Sequence, residues 1–251
     1  MKNHFLKILI ITGIISFIIF NYNFLAAADA EDSNYRETEN IMKNINLTVF
    51  NIENNPKVLL RDLAEKYQWL LFFDSRNKTI SIYDKRNTIK FKINEKEFRD
   101  REMKTSPTIK NGRTYLGIDW INPIFESLEQ ETVEILTDLK LDKHEVTRGD
   151  TVEANIKAYN IKDEIITLNY SSGQLFDLWL LKGGEEVWRW SEGKFFTMAL
   201  MSRDLEPYVK KEHNLEIPID EDMELGSYLV NGELATESPL ELQEKELKIL
   251  E

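Results

Sequence analysis

The stretch Ser171–Thr197 decides how the rest of this chain is read. It opens as Ser171-Ser172-Gly173-Gln174-Leu175-Phe176-Asp177-Leu178-Trp179-Leu180-Leu181 and continues through Lys182-Gly183-Gly184-Glu185. It returns as Glu186-Val187-Trp188-Arg189-Trp190-Ser191-Glu192-Gly193-Lys194-Phe195-Phe196-Thr197. Phe176, Leu178 and Leu180 alternate with Asp177, Trp179 and Leu181, which is the period of a strand. Trp188 and Trp190 share one face of a second strand. Gly183-Gly184 accepts positive φ at no steric cost, so the spacing predicts a tight hairpin. Three of the five tryptophans lie on it. So large an aromatic payload predicts a β core nucleated here.

Strand patterns flank the hairpin on both sides. Thr147-Arg148-Gly149-Asp150 reads as a turn, after which Val152, Ala154, Ile156 and Ala158 alternate with Glu153, Asn155, Lys157 and Tyr159. Ile166, Leu168 and Tyr170 form a strand leading into the hairpin. His213, Leu215 and Ile217 alternate again, and Gly226-Ser227-Tyr228-Leu229-Val230 is a late strand. Glu241–Leu250 reads either as a strand or as an amphipathic tail. Several short strands with turns at regular spacing predict an all-β sandwich.

The residues Ser172, Gly173, Gln174, Phe176 and Asp177, then Val187, Trp188, Arg189, Trp190 and Ser191, then Gly193, Lys194, Phe196 and Thr197 are dense and ordered. This pattern resembles the bacterial intracellular proteinase inhibitor family, BsuPI. The resemblance implies an immunoglobulin-like sandwich over residues 138–251, no catalysis, and a protein partner of the serine protease class. Fold by itself does not settle function.

The N-terminal half has a different texture. Asn55-Pro56 predicts a helix start, with Asn as cap and Pro in the first turn. Leu60, Leu63, Ala64 and Tyr67 follow on one helical face, with Arg61 and Glu65 paired on the other. Trp69–Phe73 reads as a strand, Asp74-Ser75-Arg76-Asn77 as a turn, and Thr79–Tyr83 as the return strand. Ile89, Phe91 and Ile93 alternate with Lys90 and Lys92. Asn111-Gly112 is the strongest hairpin signal of the chain, and Asn122-Pro123 predicts a second helix start. The expected class is α+β, helices plus short antiparallel hairpins, over residues 44–130.

Leu60-Arg61-Asp62-Leu63-Ala64, Trp69, Asp74, Lys78-Thr79-Ile80-Ser81-Ile82, and Pro107, Ile109 and Asn111-Gly112-Arg113-Thr114-Tyr115 together resemble the copper amine oxidase N-terminal-like domain. The resemblance implies a stalk or spacer module of bacterial envelope proteins. Pro123 departs from the pattern, since it interrupts the helix that usually follows the second hairpin. No histidine lies between Leu47 and Leu128, and Met103 is the only methionine there. Copper takes imidazole, thiolate or thioether ligands, so no metal and no other cofactor is expected.

Glu129–Asp138 is acidic and reads as the junction between the two domains. Cutting near Thr137/Asp138 is expected to release two folded halves. The chain carries a formal net charge of −12, which argues against nucleic acid as a partner. It has no cysteine, which excludes disulfides, thiolate metal sites and cysteine nucleophiles.

Lys2 and Lys7, the apolar run Ile8–Phe20 and Ala26-Ala27-Ala28 read as a signal peptide over residues 1–28. Cleavage is expected after Ala28, with Ala30 as the alternative. The run is short against the ~20 residues a membrane span needs, so an uncleaved anchor is the minor reading and the only expected route to a membrane. Residues 29–43 read as a polar linker.

No catalytic site is expected. His144 and His213 are the only histidines after the signal, and neither a Gly-x-Ser-x-Gly elbow nor a His-Glu-x-x-His motif is present. Asp220-Glu221-Asp222 lacks the rest of a calcium loop and reads as a solvated turn. Asn46, Asn77 and Asn169 begin glycosylation tripeptides that matter only in a eukaryotic secretory route. Trp188 and Trp190 read either as sandwich core or as an exposed platform. The candidate contact loops are Lys182-Gly183-Gly184-Glu185 and Ser191-Glu192-Gly193-Lys194. The expected protein is a non-enzymatic, extracytoplasmic binding protein of proteinase-inhibitor type. The alternative is an envelope spacer or interaction module, with a cell-wall or envelope component as partner.

Overall fold

The computed structural model describes residues 42–251, so the signal (1–28) and nearly all of the linker (29–43) lie outside the described residues. In chain order the first strands are β1 (Asn44–Asn46), β2 (Val49–Ile52) and β3 (Asn55–Leu59), followed by helix α1 (Leu60–Tyr67). Then come β4 (Leu70–Asp74), β5 (Thr79–Tyr83), β6 (Thr88–Lys92), β7 (Glu97–Phe98), β8 (Arg101–Glu102), β9 (Thr108–Lys110) and β10 (Arg113–Gly117). A 3-10 turn, Ile118–Trp120, leads into helix α2 (Ile121–Ser127). The second half holds β11 (Ile135–Leu141), β12 (Glu145–Thr147), β13 (Thr151–Asn160), β14 (Ile166–Tyr170), β15 (Phe176–Lys182) and β16 (Glu185–Arg189). It ends with β17 (Met201–Leu205), β18 (Lys210–Pro218), β19 (Gly226–Leu234), β20 (Leu240–Glu241) and β21 (Lys245–Leu250). The described residues are mostly β, and no helix among them is long and apolar enough to cross a membrane.

Two sheets of the second half face each other across one core. One has the order β1-β11-β13-β18 and the other β12-β21-β19-β15-β16, with β20 beside β19. Inward side chains of both meet: Leu139, Val152, Ala154, Ile156 and Ile217 from the first, Leu178, Leu180, Tyr228, Val230 and Leu247 from the second. The period-two readings over Val152–Ala158 and Leu178–Leu180 therefore hold. Glu241–Leu250 is mostly strand, with β20 and β21 both paired to β19. β14, read as leading into the tryptophan hairpin, pairs instead with β17 in a separate ribbon.

In the first half, α1 buries Leu60, Leu63 and Ala64, the face its spacing predicted. Ile80 and Ile82 of β5 and Ile89 and Phe91 of β6 are buried beside them. Among the described residues only two helices occur, both short, so the α+β expectation is met weakly. The predicted helix start at Asn55-Pro56 is corrected: these residues lie in β3, paired to β2 with Asn55 opposite Ile52. Glu53 and Asn54 both have positive φ and form the turn of that hairpin. The helix begins after Leu59 with no side-chain cap. The second predicted start is met, since α2 begins at Ile121, but Asn122 does not cap it. It lies inside α2, and its amide bonds the Val133 carbonyl at 2.8 Å and accepts from the Val133 N–H at 2.9 Å.

Pairing and packing run across the expected domain limits. The sheet strand β11 starts at Ile135, inside the acidic junction, and the expected cut at Thr137/Asp138 passes through it. Residues 44–46, assigned to the first domain, pair in parallel with Ile135–Thr137. Leu136, Tyr159 and Ile161 pack into the core of the first half with Trp120, Phe125 and Leu128. Thr48 bonds Gln243 at 2.9 Å and Lys140 donates to the Val49 carbonyl, so both halves are stitched by polar contacts too.

Candidate functional site: a loop anchored beside the tryptophan hairpin

The hairpin turns at Gly183-Gly184, with φ of 59° and 90°, which side chains with a Cβ rarely adopt. Trp179 faces Arg189 and Leu180 faces Trp188 across the β15–β16 pair, with a bulge after Leu180. Trp188 and Trp190 are both half-buried and pack against the sandwich core. Both thus pack on the core while keeping part of their surface open, between the two alternatives of the sequence reading.

Asp177 stands on the parity opposite to Leu178 and Leu180, yet it is only 4% exposed. A carboxylate is tolerated there because it is fully engaged. Its oxygens accept from the Leu178 N–H at 3.0 Å, the Ser191 N–H at 3.2 Å, the Ser191 hydroxyl at 2.6 Å and the Arg189 guanidinium at 2.9 Å. Arg189 also donates to Glu186 at 2.8 Å and lies over the Trp179 ring at 4.6 Å. Glu186 first, and then Asp177, holds the guanidinium above its ordinary value, while Arg189 holds Glu186 below its own. Glu233, opposite Asp177 on β19, is raised by burial and by the Asp177 charge.

This network clamps the chain as it leaves β16. Trp190 then adds an apolar anchor. Its N–H bonds the Leu178 carbonyl at 2.8 Å, and its ring lies 4.6 Å from Phe176 and 6.0 Å from Phe196. Lys194 crosses the same ring at 4.5 Å and donates to the Trp190 carbonyl at 2.7 Å. The His213 ring lies tilted against Phe176 at 5.0 Å, its pKa lowered by burial and then by Lys211. The third anchor is Gly173, whose N–H bonds the Thr197 carbonyl at 2.8 Å. A Cβ at Gly173 would sit 2.5 Å from Thr197 Oγ1, so any larger residue there forces Thr197 to shift.

Apart from Ser191 and Phe196, the chain that follows Trp190 and runs past Thr197 is bare. Lys194–Leu200 contains neither turn nor bend, and Phe195 is 100% exposed, Met198 94% and Leu200 79%. Sequence reasoning missed this segment because Phe195-Phe196-Thr197-Met198-Ala199-Leu200 is apolar without a period. An apolar run that follows a Gly turn and has no alternation was the available signal.

The candidate loops divide. Lys182 is bound to Glu224 and to the Leu225 carbonyl, and Gly183, Gly184 and Glu185 form an open tip. Ser191 and Lys194 brace the loop from within, leaving Glu192 and Gly193 exposed. The two groups lie at opposite ends of β16 and are not brought together. Of the other residues carrying the resemblance, Ser172 accepts from the Gln174 N–H at 3.2 Å and Gln174 donates to the Phe176 carbonyl at 3.3 Å, which shapes the approach to β15. His144 is exposed, with Nδ1 3.0 Å from the Glu246 carbonyl oxygen. Asp220-Glu221-Asp222 is an exposed turn. Among the described residues no group of three or more histidine or acidic side chains is placed to hold a metal ion.

Comparison with known proteins follows this division. Residues 139–239 match the family described as intracellular proteinase inhibitor, BsuPI, and residues 39–130 match the copper amine oxidase N-terminal domain. The chain thus carries the copper amine oxidase N-terminal match first and the BsuPI match after it. No curated protein sequence matches it. Among solved structures, the sporulation control protein Spo0M of Bacillus subtilis aligns at 15% identity and TM-score 0.33, over 48% of this chain and 51% of that one. The CARDB domain of the PF1109 protein of Pyrococcus furiosus aligns at 12% identity and TM-score 0.29, over 47% and 97%. A β-glucosidase of Listeria innocua aligns at 14% identity and TM-score 0.28, over 45% and 16%. This chain spans about half the length of Spo0M. Likenesses at this level carry no functional argument.

Proposed function

We propose that this protein is an exported, non-enzymatic binding protein that inhibits a serine protease through its C-terminal, immunoglobulin-type sandwich. The observation that carries the reading is the match over residues 139–239, whose characteristic residues Asp177, Arg189, Ser191, Trp190 and Gly173 here converge on one rigidly anchored loop. A binding loop held in one shape by its scaffold loses little entropy on docking, which is the physical requirement for tight reversible inhibition. The N-terminal half acts as a spacer that sets this domain away from the cell surface, in keeping with its stalk-like family segment.

Purified protein assayed against subtilisin, chymotrypsin and trypsin tests the central point. Dose-dependent inhibition of at least one of them is expected. Full activity of all three, together with retention of the protein by isolated cell wall, would replace this reading with that of an envelope spacer. Export rests on Lys2, Lys7, Ile8–Phe20 and Ala26-Ala27-Ala28. Mass spectrometry of the native protein should find an N-terminus near Asp29, and an intact Met1 on a protein found in the cytoplasm would refute export.

A further inference from the structure

We propose that Thr197–Leu200 is the segment that enters the protease cleft, with Met198 in the primary pocket of a serine protease that selects large apolar side chains. This rests on the inhibitor reading above and names the site and the partner's specificity. The geometry is that of a short span tied at both ends to one neighbouring stretch of chain. Thr197 is held by the Gly173 N–H, and Met201 pairs with Tyr170 at the start of β17. Only Met198, Ala199 and Leu200 lie between these ties, opposite Ser171 and Ser172. All three are exposed, and the span has neither turn nor bend.

A protease cleft takes such a span as an added strand, so it needs bare backbone with side chains free to enter alternate pockets. Met198 and Leu200 are free two residues apart. Ala199 between them is small enough to pass the catalytic groups. Phe195 is equally bare, but its neighbour Phe196 is turned onto Trp190, so a cleft cannot close over both sides of that position. The residues that carry the family resemblance end at Thr197. They build the support, and Met198–Leu200 is the tip that the support presents.

The pocket chemistry follows from the side chain. An apolar slot binds Met198, whereas a pocket floored by a carboxylate demands Arg or Lys. Lipid is the less favoured occupant of these apolar side chains. Membrane-binding loops combine apolar tips with basic flanks, and this chain carries a net charge of −12.

The test is an inhibition series on the purified full chain with subtilisin, chymotrypsin and trypsin, using Met198→Asp, Met198→Arg and Phe195→Asp. Met198→Asp is expected to weaken inhibition of subtilisin or chymotrypsin by about 100-fold, the loss typical of a buried central anchor. Met198→Arg should move inhibition toward trypsin, and Phe195→Asp should cost at most about tenfold. Circular dichroism should show all three folded like the wild type, because the changed residues are exposed. Wild-type inhibition that survives Met198→Asp and Met198→Arg unchanged overturns the assignment while leaving the inhibitor reading intact. So does inhibition lost with Phe195→Asp but kept with Met198→Asp. A wild type that inhibits none of the three proteases removes the inhibitor reading itself. Flotation with phosphatidylglycerol vesicles that is abolished by Met198→Asp would assign the tip to lipid and overturn the proposal.

Discussion

Gly173 and Asp177 owe their identities to a loop that lies 24 and 14 residues further along the sequence, as the Gly173–Thr197 and Asp177–Ser191 contacts show. Gly173→Ala places a methyl group against Thr197 Oγ1 and should destabilise the domain by about 1–3 kcal/mol in urea unfolding. Adding Thr197→Ala removes that oxygen and leaves the two Cβ positions 3.6 Å apart, so the double variant should recover most of the loss. No recovery would mean that the approach is not the cause. Asp177→Ala strands the Ser191 N–H and one face of Arg189, and should cost about 2–4 kcal/mol. Glu212, on the outer face of β18, is held at about 2, chiefly by Lys210 and Asn155. A carboxylate lowered on folding contributes stability that is complete above its unfolded value of 4.5 and is lost as pH falls toward 2. Glu212→Gln should therefore lower stability near neutral pH, by no more than about 0.5–1 kcal/mol because the group is a third exposed. The gap to wild type should close in acid, and a gap that is constant with pH would contradict the assignment.

Elements differ in how much of them the sequence makes legible. Helix α1 and strands β6 and β13 announce themselves, because each buries mainly one side of a regular period. The start at Asn55-Pro56 misleads because cap chemistry is local, whereas pairing of β3 to β2 and β10 is not. Asp177 misleads in the same way: alternation sends it to solvent, and the anchored loop buries it. The exposed loop Phe195–Leu200 has composition without period, so nothing in the pattern says that its apolar side chains face water. Strand β4 is the other such case. Its partner β5 covers one edge, yet Leu70 is 73% exposed and Phe72 60%. Leu70→Lys and Phe72→Lys should therefore change stability by less than about 0.5 kcal/mol. Ile82→Ala on β5, which empties a fully buried site, should cost about 2–5 kcal/mol. Comparable losses from both kinds of change would mean that β4 is covered.

At the scale of the molecule, two family segments share structure that their sequence boundaries hide. The acidic residues 129–138 look like a linker because charge implies solvent. Asp138 is nevertheless buried on β11, its pKa raised by that burial, with Lys140 3.5 Å away. Fragments divided between Thr137 and Asp138 should each melt well below the intact chain, because one loses its packing against Tyr159 and Ile161 and the other loses β1 and half of β11. Two fragments that melt like the whole would show that the stitching carries little energy. The larger claim is that the whole assembly exists to hold one loop in a shape that a protease accepts. It is tested most directly by titrating subtilisin with the purified protein and following the complex by gel filtration, with and without prior blocking of the enzyme's active site. The account predicts loss of activity to an equimolar end point, competition with substrate, and a complex that disappears when the active site is blocked. Undiminished activity at large molar excess, or a complex indifferent to blocking, would contradict it.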